Sequence, residues 1–95
     1  MKNPISADFG LWVGAIERLK KSGLKTIHAI HRGFFSYNQS IYRNPPLWDL
    51  PVKLKASFPD IDVICDPSLI TGNSTLIADV SALASIHGLD GLMIE

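Results

Sequence analysis

The sequence predicts a small α/β domain in which βα repeats build a parallel sheet. Two observations carry that prediction. Helical and strand-like patterns alternate along the whole chain, and such alternation folds into right-handed βαβ units. The composition, 46% hydrophobic and 19% charged, is that of an ordered globular chain, and 95 residues make one domain at most. Three complete strands cannot close a barrel of eight, so residues 1–95 form either a very small open sheet or part of something larger.

The first helix is the best defined. From Ser6 to Gly23, Trp12, Ile16 and Leu19 recur at helical spacing with Ala15 beside them. Ser6 or Asp8 can cap its start, and Lys20, Lys21 and Gly23 make a basic last turn followed by a C′ glycine. Thr26 to His31 is a β-rich run that opens into a loop at Arg32-Gly33. Phe34 to Trp48, with Asn38, Asn44, Pro45 and Pro46, forms a long connection. Pro51 suits the first turn of a short helix reaching about Phe58, where Pro59 stops it. Asp62 to Asp66 is a second strand; Pro67 has no N–H to give the ladder and ends it, leaving Ser68-Leu69 in a turn-prone segment. Asn73 or Ser74 can cap a third helix, whose stripe of Leu76, Val80, Leu83 and Ala84 faces a sheet until His87-Gly88. Gly91 to Glu95 is a last strand, and Lys2-Asn3-Pro4 reads as the tail of an earlier one.

Charge and cysteine content narrow the partners. Nine Lys and Arg balance nine Asp and Glu, so the chain lacks the basic field that nucleic acid or an anionic membrane demands. No apolar run approaches the ~20 residues of a membrane span. Cys65 is a lone cysteine, which excludes an internal disulfide and a cysteine metal cluster. Met1 to Pro4 lacks the apolar core of a secretory signal, and a cytoplasmic location is the expectation.

Ligands of parallel α/β sheets gather outside the carboxyl ends of the strands. The side chains that end the strands here are Lys2, Arg32, Asp66 and Glu95. Two cations and two carboxylates on one rim suit an anionic substrate held beside a metal or an acid-base group, against the plainer reading of each as a solvated rim charge. Alternation puts His28, Ile30 and Arg32 on one face, and Gly91, Met93 and Glu95 on one face. If both faces point inward, Arg32 and Glu95 share a site. His28 and His31 lack a metal-ligand spacing and are expected to pack. Cys65 faces away from Asp66 and is expected to be a buried, inert thiol. Gly72-Asn73-Ser74 could present backbone N–H groups to an anion, but reads first as a turn.

The segments Lys2-Asn3-Pro4, His31-Arg32-Gly33-Phe34, Tyr42-Arg43-Asn44, Cys65-Asp66-Pro67-Ser68 and Gly91-Leu92-Met93-Ile94-Glu95, in that order and spacing, resemble the class I 3-deoxy-7-phosphoheptulonate (DAHP) synthases. They are most similar to the form fused to chorismate mutase. The resemblance spans nearly the whole chain and implies about half of a TIM (β/α)8 barrel, from the end of its fifth strand to the end of its eighth. It also implies a part in condensing phosphoenolpyruvate with erythrose 4-phosphate, the start of aromatic amino-acid biosynthesis by the shikimate pathway. In that family a divalent metal polarises the aldehyde and carbon 3 of phosphoenolpyruvate attacks it. By the same resemblance, Lys2 and Arg32 match the phosphoenolpyruvate-binding cations and Glu95 matches a metal-ligand carboxylate. Asp66 and Ser68 belong to the strand-seven motif beside the metal.

The departures set further expectations. Leu69 stands where the family has a metal-binding histidine, and an aliphatic side chain has no lone pair to offer. The family's metal cysteine and its Lys-Pro-Arg-Thr-Ser phosphate loop belong to the first half of the barrel, and a further metal aspartate would follow Glu95. The chorismate mutase portion is likewise missing. Glu95 alone cannot hold a catalytic metal. The isolated chain is therefore expected to be inactive, to bind no metal by itself, and to associate with itself or with the missing half-barrel through open strand edges and an inner face bearing Ile30, Ile64 and Met93. Two rivals remain: a degenerate non-enzymatic remnant, and a small α/β module that binds a phosphorylated anion through Lys2 and Arg32.

Overall fold

The computed structural model describes residues 1–24, 26–35 and 40–93. Helix α1 spans Phe9–Lys21 and begins at Asp8, whose carboxylate accepts the Leu11 N–H at 3.2 Å. Its stripe buries Trp12 and Ile16 completely. Strand β1 covers His28–His31, shorter than the β-rich run from Thr26, because pairing starts where β2 (Asp62–Cys65) begins opposite His28. Helix α2 spans Asp49–Ser57 and packs Pro51 and Leu54 inward.

The segment after Pro67 departs from the turn expected of it. Pro67 both ends β2 and opens a short helix, α3 (Pro67–Thr71), since a missing N–H costs nothing in a first helical turn. The Asp66 side chain caps it by accepting the Leu69 N–H at 3.3 Å. Gly72, with φ of 60°, turns the chain out of α3, and the Asn73 side chain caps a 3₁₀ turn (Ser74–Leu76) that leads into α4 (Ile77–Ile86). Strand β3 is Gly91–Leu92; the remainder of the strand expected up to Glu95 falls on residues outside the described ones.

The sheet is parallel throughout, in the order β1-β2-β3, with Ile30, Ile64 and Gly91 in one register row. A parallel bridge from Lys2 to Ile30 adds a fourth strand position on the outer side of β1, as expected for the tail of an earlier strand. Strands laid down side by side in chain order, all parallel, form an arc of barrel wall. The helices cover one side of it. There, Trp12, Ile16, Ala29, Phe34, Leu54, Ile61 and Val63 make one core, and Cys65, Ile70, Val80 and Ala84 make a second. On the opposite side Ile30 and Ile64 are only half-buried.

Candidate active site

Arg32 leaves the carboxyl end of β1 into a network built by Asn3. The Asn3 carboxamide is fully buried and donates to the Gly33 carbonyl at 2.8 Å and to the Pro4 carbonyl at 2.7 Å. Its oxygen accepts the Arg32 backbone N–H at 2.7 Å. The Arg32 guanidinium in turn donates through Nε to the Asn3 carbonyl at 2.9 Å, and its η nitrogens meet no acceptor among the described residues. One edge of the fork is thus anchored and the other is open to a ligand.

A second asparagine holds the chain at Leu69 and Ile70. Asn44 donates its side-chain amide to the Leu69 carbonyl at 2.9 Å and its backbone N–H to Ile70 at 2.9 Å. Its carbonyl oxygen passes so close to Gly33 (φ 78°) that a Cβ there would stand 2.0 Å away, so only glycine fits. Ile5, Arg32, Gly33, Asn44 and Leu69 enclose a cavity of about 100 Å³.

The site residues expected from sequence divide into those this rim gathers and those it does not. Arg32 and Leu69 share the cavity. Lys2 is level with Ile30, on the same sheet face but one pleat below Arg32, and is exposed. Asp66 is fully buried; its Oδ1 accepts the Ser68 hydroxyl at 2.9 Å as well as the Leu69 N–H, and its Oδ2 has no partner among the described residues. Ser68 lines a broader cleft of about 350 Å³ with Arg43, Leu69 and Thr71. Glu95 lies outside the described residues. At Gly72-Asn73-Ser74 the Asn73 N–H goes to the Thr71 hydroxyl and the Thr75 N–H to the Asn73 side chain, so that segment caps itself rather than an anion.

The described residues do not make a metal centre. None of their His, Cys, Asp and Glu side chains form a group of three or more able to hold an ion. Cys65 is fully buried on the helix side, where burial, with the Asp66 charge adding to it, pushes its thiol up to about 12; it is the inert thiol expected. His31 is also core, stacked at 6.1 Å on Trp12 and edge-on to Trp48 at 5.5 Å. Burial pulls its imidazole down to about 4 against a backbone carbonyl at Pro46, and neither ring nitrogen has a well-formed hydrogen bond among the described residues. His28 stays on the surface, 3.5 Å from Asp62. None of the described helices is long and apolar enough to cross a membrane.

Comparison with solved structures places this fold in a known barrel architecture. The DAHP synthase (phospho-2-dehydro-3-deoxyheptonate aldolase) of Thermotoga maritima superposes with a TM-score of 0.86 at 21% identity, over 99% of this chain and 27% of that one. A truncated form of the 3-deoxy-D-arabino-heptulosonate 7-phosphate synthase from the same organism gives 0.87 at 21% identity, over 99% and 35%. The fold is that of part of a DAHP synthase barrel. The chain spans about a quarter to a third of the length of those solved chains. No family profile and no curated protein matches it.

Sequence reasoning singled out Arg32 but passed over Asn3 and Asn44 as individuals. The signal was their place inside the quoted motifs Lys2-Asn3-Pro4 and Tyr42-Arg43-Asn44; their partners, 25 to 30 positions away, leave no local pattern.

Proposed function

We propose that this chain is the second half of a DAHP-synthase-type barrel. Its part is to hold the anionic groups of phosphoenolpyruvate for condensation with erythrose 4-phosphate, in aromatic amino-acid biosynthesis. One observation carries the reading: an arginine with an anchored Nε and open η nitrogens stands at the carboxyl rim of a sheet that matches the barrel over 99% of the chain. Lys2, on the same face, adds positive charge below it. Kinship to the chorismate-mutase-fused form rests on the motifs alone.

By itself the chain is inactive in this reading. Its sheet lacks the strands that would bring the second substrate, and Leu69 occupies the rim where the resemblance puts a histidine. The occupant of the open sheet edges is the missing half-barrel, with a second copy as the alternative that sedimentation would reveal. The test is a fusion in which the amino-terminal half of the Thermotoga maritima barrel precedes Met1 and its last helix follows Glu95. The completed barrel should bind phosphoenolpyruvate, and Arg32→Ala should weaken binding by about 1.5–3 kcal/mol, as for loss of a charge-assisted hydrogen bond. Unchanged affinity would return Arg32 to a solvated rim position. The 95-residue chain with both substrates and Mn²⁺ should give no product above background; metal-dependent turnover would overturn the inactivity.

A further inference from the structure

The Arg32 side chain is held by a residue to which neither the motif nor the proposed chemistry assigns a role. Five hydrogen bonds join Asn3 to the end of β1 or to the chain beside it: its backbone N–H to Ile30, Nδ2 to Gly33 and to Pro4, Oδ1 from the Arg32 N–H, and the backbone oxygen from Arg32 Nε. An exposed arginine normally samples many rotamers, and ordering it on a ligand costs about 2 kcal/mol. Here the backbone on both sides of Arg32 is fixed by a carboxamide that is itself 0% exposed, and the guanidinium is fixed by the same residue's carbonyl. Asn44 in turn holds Leu69, another residue of the same cavity lining.

We propose that Asn3 is the positioning residue for anion binding: it holds the Arg32 guanidinium by one edge, so that the η edge meets a carboxylate or phosphate already oriented. The proposal rests on the reading of Arg32 as an anion contact and deepens it. Asn3 touches no ligand itself; its whole effect passes through Arg32. Carboxamide chemistry is required, because the position needs two donors and one acceptor on one planar group. Asp supplies no donor for the Gly33 and Pro4 carbonyls, and Ser is too short to span both.

The test is a double-mutant cycle on phosphoenolpyruvate affinity in the completed barrel, together with side-chain NMR of the 95-residue chain. Asn3→Ser should weaken phosphoenolpyruvate about five- to tenfold with Arg32 present and less than twofold in the Arg32→Ala background. Equal losses in both backgrounds would show Asn3 acting on general stability and overturn the proposal. An Arg32→Ala variant that binds normally would instead sink the underlying reading of Arg32. If Asn3→Ser does not fold, the wild-type chain still decides the point. The Arg32 Nε–H should exchange at least tenfold more slowly than that of Arg43, which is exposed; equal rates would mean that Arg32 is not held and would overturn the proposal.

Discussion

The two faces of the sheet are built from alternate residues of the same strands, yet they are finished to different degrees. On the helix side Ala29, His31, Val63 and Cys65 are all 0% exposed. On the other side their neighbours Ile30 and Ile64 are half-buried. A second contrast runs along the helix side itself. His31, Cys65 and Leu92 occupy one register row, the first two fully covered and the third 44% exposed. Cover therefore stops at β3, where a cleft of about 220 Å³ opens between α4 and Leu92. The lesson is that α1, α2 and α4 give β1 and β2 a complete hydrophobic layer, which can hold the chain together, while the inner face and the β3 flank stay partly exposed among the described residues.

The largest expected effect separates the faces directly. Trp12 is completely buried and packs edge-on to Phe34 at 5.9 Å, so Trp12→Ala should cost about 3–5 kcal/mol. For a chain of this length that is a large part of the whole stability. Ile64→Ala on the inner face should cost about 1–2 kcal/mol in the isolated chain, since part of its surface is already exposed. In the completed barrel the same change should rise toward the ~2–5 kcal/mol of a buried isoleucine. Urea titrations of both variants in both contexts make the comparison. If Ile64→Ala costs as much in the isolated chain as in the barrel, the inner face is closed by something else, such as a second copy.

The next effect belongs to the closed face and depends on pH. His31 is held neutral, its imidazole near 4 in the folded chain against 6.5 when unfolded, because burial among Trp12, Phe34 and Trp48 disfavours the charged ring. Below pH 6.5 the unfolded chain takes up the proton first. Stability from this residue is complete above 6.5 and falls as pH drops toward 4, by about 3 kcal/mol in all. Denaturation at pH 7.5, 5.5 and 4.5 should show that slope, and His31→Phe, which keeps a ring among rings, should flatten it. A slope that survives His31→Phe would place the acid sensitivity elsewhere.

How much of this was readable in advance follows from the range of each interaction. The Trp12 and Ile16 stripe was plain from helical spacing, and the βα alternation from the order of elements, because both are local patterns. Alternation also separated His28 from His31, but which of the two would be buried depended on the side the helices took. The α3 helix was missed because Pro67 serves two elements, ending one and opening the next. At the site, Arg32 was legible as a charge at a strand end, whereas Asn3 and Asn44 were not. They work through backbone carbonyls distant in sequence, and a carboxamide in a loop ordinarily means a turn.

The smallest effect concerns the open rim. Leu69 is half-buried and lines the Arg32 cavity, while its backbone is fixed at both ends, by Asp66 on its N–H and by Asn44 on its carbonyl. A new side chain there changes what the cavity offers without moving the chain, so Leu69→His should leave stability within ~0.5 kcal/mol. An imidazole adds a neutral nitrogen donor where leucine has none. In the completed barrel, Leu69→His should therefore raise Mn²⁺ or Zn²⁺ affinity at least about tenfold, or roughly 1.4 kcal/mol. Both versions must be titrated at one pH, because the ring has to be deprotonated to bind. Equal affinities would mean that Leu69 does not stand at a ligand position, and the match through Asp66-Pro67-Ser68 would be displaced by at least one residue. A gain in affinity accompanied by a large loss of stability would mean instead that Leu69 belongs to the closed layer of the protein, and that the boundary between the two faces runs on the other side of α3.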